Sequence, residues 1–119
     1  MKKELTSLAL ARQAGRLALA KKGFDVRILK LKELSSVCDY FVIASGEADV
    51  QVKAVASYIY DELARLGYKP NYREGHRDGN WVLLDYIDVV VHVFYEPTRR
   101  FYALEKLWGD APVEELADE

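Results

Sequence analysis

Two carboxylates, Asp85 and Asp88, flank a polar break between two strongly apolar runs, and a Ser45-Gly46 turn precedes a helix-patterned stretch. A small-residue turn opening a helix, with acids on a nearby hairpin to hold metal ions, is the equipment of metal-assisted nucleotidyl transfer. That chemistry wants two carboxylates on one face of a strand, two residues apart, because alternate strand residues share a face. Asp85 and Asp88 are three apart across a turn, and Glu47 and Asp49 follow the Ser-Gly turn where a phosphate would sit. The spacing argues against the reaction and leaves it as the enzymatic alternative.

The histidines add little to it. His92 falls inside the apolar run Val89 to Tyr95 and reads as a hydrogen-bonded structural histidine rather than a metal ligand or base. His76 lies beside Asp78 in a loop with no cysteine or second histidine nearby, which suits a solvated pair. Ser45 lacks the preceding glycine of a nucleophile elbow. No nucleophile, base and orienter assemble, so no catalytic residue, metal site or cofactor is assigned.

Binding is the better use of the same residues. Trp81 at the mouth of the apolar hairpin and Tyr86 in its turn are large amphipathic rings beside Asp85 and Asp88. That is the mixture of a protein-binding hot spot with a polar rim. The competing reading, that both rings cap the core, is not separated from it by composition.

These residues need a frame. The stretch WVLLDYIDVVVHVFY, Trp81 to Tyr95, is almost entirely β-branched, aromatic or leucine outside the break at 85–88, which predicts a β-hairpin at the centre of the fold. Trp81, Leu83 and Asp85 face one way and Val82, Leu84 and Tyr86 the other; Val89, Val91 and Val93 oppose Val90, His92 and Phe94. Both faces are largely apolar, so helices must cover both.

The rest of the chain supplies them. A helix is predicted over 4–22, its leucines split between a Leu5, Leu8, Leu19 side and a Leu10, Leu17 side, which suits a helix wedged in the fold or, as the alternative, a second contact such as a homodimer. A strand follows from Phe24 to about Leu31, and a second over Asp39 to Gly46 hands over to a helix patterned by Val52, Val55, Ala56, Ile59, Leu63 and Leu66, with Gly67 as its stop. Tyr68 to Arg73 contains Pro70 and, if extended, belongs at a sheet edge. A last helix is predicted from Pro97 to Gly109, with Phe101, Leu104 and Trp108 on one stripe. The expected architecture is α/β, a mixed, mostly five-stranded sheet flanked by helices, in one domain over 1–112, followed by an acidic, disordered tail over 113–119.

Composition bounds the setting. One cysteine, Cys38, cannot form an internal disulfide, which fits a reducing cytosol or a bacterial-type organelle matrix, and no apolar run is long enough for a membrane span. The net charge of -2 hides nine Lys/Arg against three Asp/Glu in residues 1–37, and eight against sixteen thereafter. Without interleaved aromatics or a compact cluster, the basic third reads as a solvated face rather than a nucleic-acid site.

Several segments, in one order, carry a resemblance: DYFVIASG from Asp39, QVKA from Gln51, Glu74-Gly75, WVLLDY from Trp81, DVVVHVF from Asp88 and FYALEKLW from Phe101. They resemble the ribosomal silencing factor family, also called Iojap-related, from about residue 5 to Pro112. The resemblance implies a domain related in topology to nucleotidyltransferases but without their catalytic acids, and no enzymatic activity. It implies a cytoplasmic translational repressor that binds the large ribosomal subunit through ribosomal protein L-fourteen and obstructs joining of the small subunit when nutrients are scarce. A role in large-subunit assembly is the other alternative. The family's contacts carry over to Trp81, Leu83, Asp85, Tyr86 and Asp88. Ile87 departs from the family, which usually has glycine there, and a β-branched residue would be strained in a turn that needs positive φ.

Overall fold

The computed structural model describes residues 4–117; residues 1–3 and 118–119 lie outside the described residues. The elements run α1 (Ser7–Ala20), β1 (Phe24–Lys30), β2 (Tyr40–Gly46), α2 (Asp49–Arg65), β3 (Tyr72–Glu74), β4 (Trp81–Asp85), β5 (Val89–Tyr95), α3 (Glu96–Tyr102), α4 (Leu104–Leu107) and β6 (Val113–Leu116). The strands form one sheet in the order β3-β4-β5-β2-β1-β6. β2 and β5 pair in parallel, as the crossover through α2 requires, and the other neighbours pair antiparallel.

The hairpin sits inside the sheet, with Trp81 opposite Phe94, Leu83 opposite His92 and Asp85 opposite Val90. One face carries Val82, Leu84, Val89, Val91 and Val93, buried with Val52, Val55, Ile59 and Leu63 of α2 and Leu10, Ala14 and Leu17 of α1. Each such aliphatic contributes roughly 1.5–3 kcal/mol on full burial. The opposite face holds Leu29, Ile43, Val90 and Phe94, with Trp81, Leu83, Phe41, Leu104 and Trp108 packed partly against them. Among the described residues the helices on that side are the short α3 and α4, joined by Leu31, Cys38 and Ala111 from the connections, so it is the less covered of the two.

The structure corrects the reading of the tail. The sheet has six strands, not five, because Val113–Leu116, expected to be disordered, forms edge strand β6 against β1. Leu116 fits a notch left by Gly15, where a Cβ would overlap its Cδ1. Of the acids that suggested disorder, Glu114 and Glu115 pair with the basic third of the chain. Arg12 holds Glu114 at 2.8 Å, Lys30 reaches the same carboxylate at 3.5 Å, and Arg27 pairs with Glu115 at 3.3 Å. The charge asymmetry of the sequence is thus a match between its two ends.

Two helices also differ from expectation. On α1 the Leu10, Leu17 side is the buried one, Leu19 packs partly on the same core, and Leu5 is exposed. The last helix is broken at Ala103, whose φ of 48° ends α3 and starts α4 in a new direction. Phe101 therefore does not share a stripe with Leu104 and Trp108; it is 81% exposed.

Candidate docking face

Alternation along β4 sets Trp81, Leu83 and Asp85 on the less covered face, all half-buried. The Trp81 ring stacks on Phe94, its cross-strand partner, with centroids 4.8 Å apart, and meets Tyr102 of α3 at 5.1 Å. Its Nε1–H donates to His92 Nδ1 at 3.0 Å. Phe41, one strand further on β2, lies edge-on to His92 at 4.5 Å and to Trp108 at 6.2 Å. An aromatic platform therefore crosses β4, β5 and β2, capped at one end by α3 and α4 and open at Trp81, Leu83 and Phe41.

His92 is the structural histidine expected, with a polar bond to Trp81. Burial pushes its pKa down to about 4, so the ring is neutral. With Nδ1 accepting, the proton resides on Nε2, which is buried without a hydrogen-bond partner. His76 and Asp78 lie exposed in the 75–80 loop.

The turn separates the other candidates. Tyr86 points to the opposite face with Val82 and Leu84, and is buried with its hydroxyl unpartnered. It does not share a surface with Trp81, Leu83 and Asp85. Asp88 is exposed in the turn, and its carbonyl accepts from the amides of Asp39 and Tyr40. Asp85 Oδ1 accepts from the Ile87 amide at 2.7 Å, and Asp88 N donates to Tyr86 O across it. Ile87 itself has φ 72° and is 61% exposed. The strain expected of a β-branched residue in this turn is present, and with Leu34 and Val37 it leaves exposed apolar surface at this end of the sheet. Ile87→Gly is expected to raise stability by about 1 kcal/mol, relief of left-handed strain exceeding the added chain entropy. Urea unfolding midpoints test this; a less stable variant would show that the turn is not strained.

The Ser45-Gly46 turn is committed elsewhere. Ser45 is buried and its Oγ accepts from Arg99 Nη1 at 2.8 Å; the same nitrogen donates to the Asp25 carbonyl at 2.7 Å. Asp25, at φ 50°, lies where the β1 register shifts, which aims its carbonyl at the guanidinium. Arg99 also grips Glu105 at 3.0 and 3.2 Å, and Arg27 reaches that carboxylate at 2.9 Å. Burial pushes the Glu105 carboxyl up, but the hydrogen bonds and charges of Arg99 and Arg27 outweigh it and hold it below its usual range. This network fixes the bend between α3 and α4. Neither Arg99 nor Phe41 is identifiable as part of the site from the sequence, because each depends on long-range packing. Among the described residues, no group of three or more His, Cys, Asp or Glu is placed to hold a metal ion.

The family profile described as "Ribosomal silencing factor during starvation" matches residues 4–119. The chain is 45% identical over 96 residues to a protein of Bacillus subtilis named ribosomal silencing factor RsfS, covering 81% of each chain. It is 30% identical over 87 residues to a mouse protein named "Mitochondrial assembly of ribosomal large subunit protein 1", covering 71% of this chain and 38% of that one. A crystal structure of a Chromobacterium violaceum protein superposes with a TM-score of 0.85 at 34% identity, covering 88% of both chains.

Proposed function

The chain belongs to the ribosomal silencing factor family, and from that membership we propose that it is a cytoplasmic translational repressor acting by occupancy. It docks on the large ribosomal subunit through ribosomal protein L-fourteen and sterically blocks joining of the small subunit, above all under nutrient limitation. Trp81, Leu83 and Asp85 supply the contact from the strand and Asp88 from the turn, while Tyr86 anchors the turn from behind.

The observation that carries this reading is the open half of the second sheet face. Half-buried Trp81, Leu83 and Phe41 lie in a row there, edged by the acids of the turn. Apolar rings with a charged rim are the anatomy of a protein contact. A domain measuring 40 × 32 × 30 Å is bulky enough to obstruct a second subunit, and a net charge of -2 adds repulsion toward ribosomal RNA. The reading requires no turnover, which is consistent with Ser45 being tied to Arg99 and Asp85 to the Ile87 amide.

The test is light scattering of purified subunits during joining, without nucleotide. Slowed joining at stoichiometric protein is expected; unchanged joining at saturating protein would reject occlusion. The name of the mouse relative favours a second reading, large-subunit assembly. That reading expects immature large subunits in gradients from cells lacking the protein, and a normal large-subunit profile rejects it.

A further inference from the structure

Beside Trp81, on the α3 side, is a cleft of about 470 Å³ lined by Gly75, Asp78, Asn80, Trp81, Pro97, Thr98, Phe101 and Tyr102. We propose that this cleft receives the guanidinium of an arginine presented by a basic protein segment. The proposal rests on the docking reading above and names the chemistry of the partner at one point of that face.

Three rings line the cleft, with Tyr102 touching each of the other two. Trp81 meets Tyr102 at 5.1 Å, and Tyr102 meets Phe101 edge-on at 5.2 Å. Phe101 is 81% and Tyr102 54% exposed, although a soluble fold leaves large rings uncovered in a cluster only at some cost. Of their polar neighbours Asp78 carries an acceptor-only carboxylate, while Asn80, Thr98 and Tyr102 can accept as well as donate. Among the described residues no lysine or arginine lines the cleft, although the Lys53 side chain reaches Gly79, next to Asp78 in the loop. The cations of α3 are committed elsewhere, Arg99 to Glu105 and Arg100 to Glu96 at 2.9 Å.

The acceptor side is held in place by its loop. Gly75 has φ 86°, and a Cβ on it would overlap the Trp81 carbonyl, so the loop lies directly against β4. Gly79 N donates to Gly75 O at 3.1 Å and closes the turn that carries Asp78. A planar guanidinium can stack on aromatic faces and donate to a carboxylate in the same geometry, whereas an ammonium is a hydrated point charge that does the second better than the first. A nucleobase would also stack, but it brings phosphates. Here they would meet Asp78, and in the adjoining cleft of about 300 Å³, which shares Gly75 and Trp81, also Glu74, with no lining cation in either.

The experiment follows the Trp81 indole N–H and the amides of residues 75–80 by NMR, titrating the full chain with blocked Gly-Arg-Gly. Controls are the citrulline peptide, neutral and nearly isosteric, and a uridine hexanucleotide. Saturable shifts with the arginine peptide are expected, with at least about tenfold weaker binding of citrulline and about tenfold weaker arginine binding by Asp78→Asn, the loss of one charge-assisted contact. Tyr102→Ala, on an exposed ring, should weaken it by a similar factor while the remaining amide spectrum superposes. Equal binding of citrulline, an unaltered titration of Asp78→Asn, or stronger binding of the oligonucleotide would each overturn the proposal. Co-sedimentation with large subunits separates the two claims. If the wild type sediments with them but the arginine peptide moves nothing, the arginine site fails alone. If the peptide binds as expected and the wild type does not sediment with them, the ribosomal reading fails and the arginine site stands.

Discussion

Arg99→Met is expected to cost about 3–5 kcal/mol, the loss typical when one partner of a buried charged network is removed. The guanidinium is 8% exposed and spends its donors on Glu105, the Asp25 carbonyl and Ser45 Oγ. Methionine fills much of the volume and satisfies none of these acceptors, and Glu105 keeps only Arg27. Against a domain stability of about 5–15 kcal/mol, the loss is a large fraction of the total. Urea unfolding is the measurement, and a loss under about 1 kcal/mol would show that the network is dispensable. Arg99→Met with Glu105→Gln should lose less than the two single losses combined, since the stranded charge is then gone.

The acid limb of the same unfolding data carries a second sign. Glu105 has a folded pKa held below its ordinary 4.5, so it stabilises the fold above that value and the contribution disappears as pH falls through the lowered one. Without Arg99, much of that dependence should vanish. The functional consequence is local. The network fixes the bend at Ala103, and the bend decides that Tyr102 and Trp108 reach the aromatic platform while Phe101 stays outside it.

What the sequence revealed, and what it concealed, follows the range of the interactions. The hairpin was legible because its alternation is local: Trp81, Leu83 and Asp85 face one way and Val82, Leu84 and Tyr86 the other, as the period of two requires. Pro70 argued for a sheet edge if 68–73 were extended; the edge strand β3 begins at Tyr72, beyond the proline. The strain at Ile87 was legible through one substitution in a known turn. The tail was misread because four acids in seven residues look disordered, whereas the partners of Glu114 and Glu115, which are Arg12, Arg27 and Lys30, lie in the first third of the chain. The single last helix was misread because alanine gives no warning of a left-handed conformation; a buried arginine, not local propensity, accompanies that break. Tyr86 shows the limit at the site itself. Its place beside two acids suggested a contact surface, yet the alternation that buries Leu84 buries it too.

Trp81→Ala is expected to lose about 3–5 kcal/mol of stability and at least about thirtyfold in large-subunit affinity. A ring stacked on Phe94, touching Tyr102 and donating to His92 cannot be removed from the face without loosening the core beneath it. Trp81→Phe separates the two roles, because it keeps a ring on Phe94 while deleting the indole N–H and part of the ring area. His92 then has both nitrogens buried without partners, at a cost of about 1–3 kcal/mol. The pH profile identifies the histidine. Its folded pKa, about 4, is below the ordinary 6.5, so as pH falls from 6.5 toward 4 the unfolded chain takes up a proton that the fold refuses, and stability declines. The decline should begin well above the range in which Glu105 and Glu114 titrate. Both variants are to be assayed by co-sedimentation at a temperature where unfolding data show them folded. Wild-type affinity in folded Trp81→Ala would remove this residue from the docking face, and wild-type stability would remove it from the core.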